Sequence, residues 1–267
     1  MIHDILAGAV SHPSWELAVS GAVPALVAMA LVDRLDRKRP EPPSLRRLCA
    51  AFGMVSVLPA IVIELVLSGT IGEQIGPRLT YQGASFHAFF VAAGVEEACK
   101  LSVIFWMVWW LPDFDERMDG IVYASRAGLG FALVENVMYL FGEPTLSDQL
   151  ETWVMRAVLA VPGHAMWTGM AGAMAARRRF DGKGLGIVGG YLLAVAFHGA
   201  YDLTAFIQVP LHLEGHNRLA ALAIPALAGL TVLAFFVLRR MAKTALRLDD
   251  VDAATRVAAP TPLAVPR

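Results

Sequence analysis

The chain has 267 residues, 57% of them hydrophobic and 17% charged, with a formal net charge of −1 and a mean hydropathy of +0.56. A soluble domain of this length shows shorter apolar runs and more evenly spread charge, so that class is excluded and a polytopic helical membrane protein remains. The basic residues sit in loops without interleaved aromatics, so no nucleic-acid partner is expected.

The N-terminus, MIHDILAGAV, has neither a basic region nor a small-residue cleavage site, and no removable signal peptide is expected. Apolar runs long enough to span come at about 16–32, 48–69, 85–110, 120–142, 152–175, 184–207 and 219–238. The expected fold is therefore an all-α bundle of about seven transmembrane helices, or six if the short first run lies tilted or interfacial. Orientation is set by the basic residues. Arg34, Arg37, Lys38, Arg39, Arg46 and Arg47 lie between the first two runs, Arg177, Arg178, Arg179 and Lys183 between the fifth and sixth, and Arg239, Arg240, Lys243 and Arg247 after the last. The loops 70–84, 143–151 and 208–218 hold only Arg78 and Arg218. An N-terminus outside and a C-terminus in the cytoplasm place every basic loop inside, although the loop 111–119 is acidic and carries Arg117 alone. Residues 1–248 read as one membrane domain, and 249–267, rich in Ala and Pro, as a disordered cytoplasmic tail. Cys49 and Cys99 fall in different runs, without a CxxC pattern, and read as free thiols.

Four of these runs carry ionisable groups in their interiors: Glu96, Glu97 and Lys100 in the third, Glu135 beside Asn136 in the fourth, His164 in the fifth, and His198 with Asp202 in the sixth. Charge inside a bilayer is costly, so these side chains face a bundle interior. At the rise of an α-helix, Glu96 and His164 lie roughly 17 Å from the outer end, His198 roughly 14 Å and Glu135 roughly 11 Å, which places all four in one layer. Lys100 stands three and four residues from the two glutamates and can neutralise either. Gly186, Gly190 and Ala194 extend the His198 face as a small-residue row, and Ala165, Gly169 and Ala173 make a similar row on the fifth run, so neighbouring helices can approach closely.

A lone intramembrane histidine is ordinarily an interhelical hydrogen-bonding residue, and Lys100 with one glutamate would be a buried pair fixing register. A second adjacent carboxylate is an unexplained cost on that reading. Together the carboxylates and histidines can hold a metal, relay protons or activate water. Arg156 either snorkels outward or pairs with a carboxylate, Arg126 faces the cytoplasmic boundary, and Trp106, Trp109 and Trp110 fit an interfacial belt. Neither HExxH nor GxSxG occurs, nor the GxGD of intramembrane aspartate proteases.

EEACK at 96–100 resembles the EExxK motif of the PrsW family of intramembrane proteases. FALVEN at 131–136 is similar to the family's FxxxEN, RAVLAVPGHAMWTG at 156–169 to the segment carrying its third motif, and HGAYD at 198–202 to its fourth. Order and spacing hold over about 85–205, with Arg126 standing where a small residue is expected. The resemblance implies a distant relation to the CAAX-processing and abortive-infection membrane proteases, in which a histidine stands where this chain has Glu135. It implies a multi-pass enzyme of the bacterial inner membrane that cuts a membrane-spanning, anti-sigma-factor-like protein substrate first, on its outer side.

On that resemblance the site is Glu96, Glu97, Lys100, Glu135, His164, His198 and Asp202. Glu96 or Glu97 activates water, Lys100 holds the other carboxylate, and His198 with Asp202 stabilises the oxyanion. Glu135 and His164 complete a water or metal site. Zinc is the candidate cofactor, with Glu97, His164 and His198 as its ligands; a metal-free, glutamate-dependent mechanism fits the same residues. The competing class is a proton- or ion-coupled transporter using the same cluster. Against it, the two halves show no inverted repeat and Pro162–Gly163 is the one candidate helix break. A silent membrane scaffold is the third class.

Overall fold

The computed structural model describes residues 13–76 and 79–258, and among these it contains seven continuous helical rods and no strand. The first, α1, joins Trp15–Ser20 to Ala22–Val32. The second, α2, spans 43–75 and α3 spans 81–107, ending in the α-helical segment Gly94–Met107. The fourth, α4, is Arg117–Gly142, α5 spans 146–181 and α6 spans 186–213. The last, α7, is Ala223–Ala258, preceded by the short turn Asn217–Ala220. Each predicted run corresponds to one rod.

Four rods, α1, α2, α6 and α7, are long and apolar enough to cross a membrane by composition alone. The chain is a multi-pass membrane protein. The other three, α3, α4 and α5, carry most of the ionisable residues found inside the rods, with His198 and Asp202 added by α6. They form the inside of the bundle: α4 packs against α1, α2, α3, α5 and α7. The apolar rods shield it, with Leu26 and Val27 of α1, Leu58 and Val62 of α2, and Phe235 and Phe236 of α7 turned outward.

Small residues set the helix spacing. An added Cβ on Gly128 of α4 would lie 2.5 Å from the His164 carbonyl oxygen of α5, so these backbones touch at the level of the polar layer. The predicted rows behave in the same way: Gly190 of α6 faces the Ala171 backbone of α5, and Ala194 is fully buried. Helix α5 stops at Gly182, which adopts the left-handed conformation (φ 65°) that a glycine tolerates at a helix end.

Three rods contain a π-helical turn: Ser68–Gly72 in α2, His87–Ala93 in α3 and Arg156–Ala160 in α5. The extra residue in such a turn rotates the rest of the helix about its axis, and π-turns recur at functional sites. Here one immediately precedes Glu96 and Glu97, and another contains Arg156 and precedes His164.

Arg126 is bonded to Asp33, at the end of α1 that leads into the basic connection. The structure departs from the sequence reading in two places. Trp106 and Trp110 are exposed as a belt requires, but Trp109 is buried against Phe105 and Phe114. The expected tail is helical as far as Ala258, because Arg117 bonds Asp249 at 2.8 Å and Asp252 at 2.7 Å and holds this end of α7 against the start of α4. Residues 259–267, the N-terminal residues read for a signal, and Arg78 lie outside the described residues. Cys49 and Cys99 are free thiols.

Candidate active site

The polar layer is one connected cluster drawn from α3, α4, α5 and α6. At its centre is the Lys100 ammonium, fully buried, donating to Glu96 Oε2 at 2.9 Å and to Glu97 Oε1 at 3.0 Å. It also lies 2.8 Å from His164 Nδ1 and 4.3 Å from the centre of the Phe131 ring. So Lys100 holds both glutamates, and it reaches a histidine from a third helix. Removing three buried charges from water is offset only by this dense pairing.

The two glutamates have different surroundings. Glu97 is fully enclosed: Lys100 and His198 Nδ1, each at 3.0 Å, meet Oε1, and the Thr168 hydroxyl donates to Oε2 at 2.8 Å. Glu96 meets Lys100, His198 Nε2 at 3.8 Å and His164 Nδ1 at 4.0 Å, all through Oε2. Oε1 takes no part in these contacts. Glu96, with Glu135, also lines a cavity of about 420 Å³ bounded by Glu64, Phe131, Tyr139 and Phe206. The cavity reaches Gly142 and Glu143, at the end of α4 away from the basic loops.

Hydrogen-bond bookkeeping orients both imidazoles. A lysine only donates, so His164 Nδ1 accepts from Lys100, and its Nε2 carries the hydrogen that Glu135 receives at 2.8 Å. A carboxylate only accepts, so His198 Nδ1 donates to Glu97 and its Nε2 faces Glu96 and Asp202, the latter at 3.4 Å. Trp167 stacks on His198 with ring centres 4.4 Å apart and fixes the ring plane. Behind Glu135, Arg156 bonds the same carboxylate oxygen at 2.8 Å and lies over the Tyr139 ring. Arg156 is thus an inward partner, one of the two roles its position allowed. Asn136 accepts from Arg156 Nε at 2.5 Å through Oδ1 and donates to the Gly21 carbonyl of α1 at 2.7 Å.

All seven residues singled out in the sequence are brought together. Three converge most closely: ligand atoms of Glu96, His164 and His198 all lie within 4.8 Å of one another. The carboxylate in this trio is Glu96, whereas Glu97 backs one of its histidines. The donor set fits a divalent transition metal. One carboxylate oxygen and two imidazole nitrogens converge, and each imidazole has its remote nitrogen bonded to a carboxylate, as ligand histidines ordinarily do. The Lys100 ammonium is the cation that shares this space. Thr168, Trp167 and Phe131 lie inside the motif segments but were given no role from sequence; Thr168 is detectable as the residue one turn beyond His164 on the same face.

Comparison with known proteins gives a consistent picture. A profile described as "PrsW family intramembrane metalloprotease" matches residues 41–242. The chain is 31% identical to the Protease PrsW of Geobacillus kaustophilus over 190 residues, covering 70% of this chain and 79% of that protein. It is 29% identical to the Protease PrsW of Oceanobacillus iheyensis over 223 residues, 83% of this chain and 94% of that protein. With the Bacillus subtilis Protease PrsW it shares 30% identity over 187 residues, 68% of this chain and 79% of that protein. No solved structure matches the chain.

Proposed function

This chain belongs to the PrsW family of intramembrane metalloproteases, and from that premise we propose that it cuts a single-span, anti-sigma-factor-like membrane protein within the outer half of a bacterial inner membrane. The observation that carries this reading is the cavity beside Glu96 and Glu135, which runs toward the end of the bundle without basic loops. Under the positive-inside rule that end is outside, and the basic loops and the C-terminal end of α7 face the cytoplasm.

Within the site, Glu96 takes the proton of the attacking water through its uncommitted oxygen and passes it to the leaving amine. Lys100 faces the carbonyl oxygen as charge develops there, joined in a metal-free site by His198, whose Nε2 beside Asp202 then carries a hydrogen. Glu97 and Thr168 are positioning residues that act through His198, and Glu135 and Arg156 act in the same way through His164. Glu96, His164 and His198 would hold a divalent metal, zinc by donor type, whose chemistry when bound is to lower the pKa of water toward neutrality.

The experiment is to map the cut by mass spectrometry in a single-span substrate reconstituted with the purified protein. A scissile bond in the outer half of the span supports the reading, and one on the basic-loop side contradicts it. A transporter on the same cluster has no support from the family relationship.

A further inference from the structure

The opposite end of α4 carries a second carboxylate cluster that the protease site does not use. Asp119 is sixteen residues before Glu135, roughly 24 Å along the helix. Asp36 and Glu41 from the α1–α2 connection meet Glu116 and Asp119 from the start of α4, with one carboxylate oxygen of each within 4.8 Å of all the others. Asp36 is 2% exposed and Asp119 0%.

Part of this cluster has a plain structural job. Glu116 and Asp119 form a capping box at the start of α4, with Asp119 Oδ2 accepting the backbone N–H groups of Asp115 and Glu116 at 2.7 and 2.8 Å. Glu41 accepts from the Tyr123 hydroxyl, and Glu116 Oε2 accepts from Arg39. Capping leaves three buried oxygens unexplained: both of Asp36 and Oε1 of Glu116 have no hydrogen-bond partner, whereas Asp119 shares a carboxyl–carboxylate hydrogen bond with Glu41. The Arg39 backbone N–H beside Asp36 does not reach hydrogen-bond geometry. Since both Asp36 oxygens are orphaned, whichever one meets the other three carboxylates is unpartnered.

One cation, Arg39, reaches the cluster through Glu116, and the others are committed elsewhere. Arg39 is shared between Glu116 and Asp250, Lys38 bonds Asp250, Arg46 and Arg126 bond Asp33, and Arg117 bonds Asp181, Asp249 and Asp252. Burial first, and neighbouring carboxylates second, push Asp36 up to about 6. Buried carboxylates short of counter-charge are costly unless a cation joins them.

We propose that Asp36, Glu41, Glu116 and Asp119 bind one divalent cation that clamps the α1–α2 connection onto the start of α4. Four carboxylates with no nitrogen or sulfur donor select a hard, oxygen-preferring ion, Mg²⁺, Ca²⁺ or Mn²⁺, rather than the metal suited to the histidine site. This site stands independently of the protease chemistry.

The test uses the full chain, purified in detergent and stripped of metal by chelation and dialysis. Mn²⁺ is titrated and its free fraction followed by electron paramagnetic resonance. One saturable Mn²⁺ per chain is expected in a Glu96→Gln background, displaced by excess Mg²⁺ or Ca²⁺ and weakened at least tenfold by Asp36→Asn. Asp36 makes no hydrogen bond to lose, and size-exclusion chromatography verifies that its variant folds. The wild-type melting temperature, read with and without the competing ion, gives a variant-free measure and should rise on binding. No saturable Mn²⁺ in the Glu96→Gln background, or an affinity unchanged by Asp36→Asn, overturns the proposal.

Discussion

Glu96 and Glu97 are neighbours in sequence, about 100° apart around α3, and that angle divides their work. Glu97 points into packed protein, where Lys100, His198 and Thr168 engage both its oxygens. Glu96 points at the cavity with one oxygen uncommitted. Glu96→Gln should therefore lower kcat by about 10²–10⁴-fold, the range for losing a general base. Thr168→Val should leave KM unchanged and lower kcat by about 10–100-fold, as expected for a supporting residue. Asn136 makes a different prediction, because it ties α4 to the Gly21 carbonyl of α1 as well as accepting from Arg156. Asn136→Ala should cost about 1–3 kcal/mol, the penalty for a buried polar group left unpaired, visible as a lower melting temperature. Membership of the cluster was legible in the sequence, since every charged residue inside an apolar run had to point inward. Which of two adjacent glutamates faces the cavity was not, because that depends on the rotation imposed by the π-turn at 87–93.

At the scale of helices, close approach is what brings four separate rods to one site. Gly128 lets α4 rest on the backbone of His164, and any side chain there must push α5 away. Gly128→Leu should destabilise the protein by at least the roughly 1–3 kcal/mol typical of overpacking and should abolish cleavage, with thermal unfolding and activity measured on the same preparation. A shared layer was readable beforehand: helix rise alone puts Glu96, Glu135, His164 and His198 at one level, and there they meet. The helical extension of α7 to Ala258 was not readable, because Ala- and Pro-rich composition suggested a tail. Its order comes from long-range pairing of Asp249 and Asp252 with Arg117.

For the whole molecule, the distribution of charge divides the bundle into a basic end and an end that opens onto the catalytic cavity. In right-side-out vesicles, a Lys183→Cys variant should resist a membrane-impermeant maleimide, and Ser147→Cys should react; both positions are exposed loop or helix-end sites. The reverse pattern would invert the proposed orientation. Family membership establishes a protease, and the geometry gives its reacting group a definite candidate. The most direct measurement is cleavage of a single-span membrane protein by the purified chain in liposomes, comparing wild type with folded Glu96→Gln, each with and without a zinc chelator and with zinc restored. Cleavage that Glu96→Gln abolishes, and that chelation stops and zinc restores, is the predicted result. Full cleavage by Glu96→Gln would contradict the central claim that this carboxylate carries the chemistry.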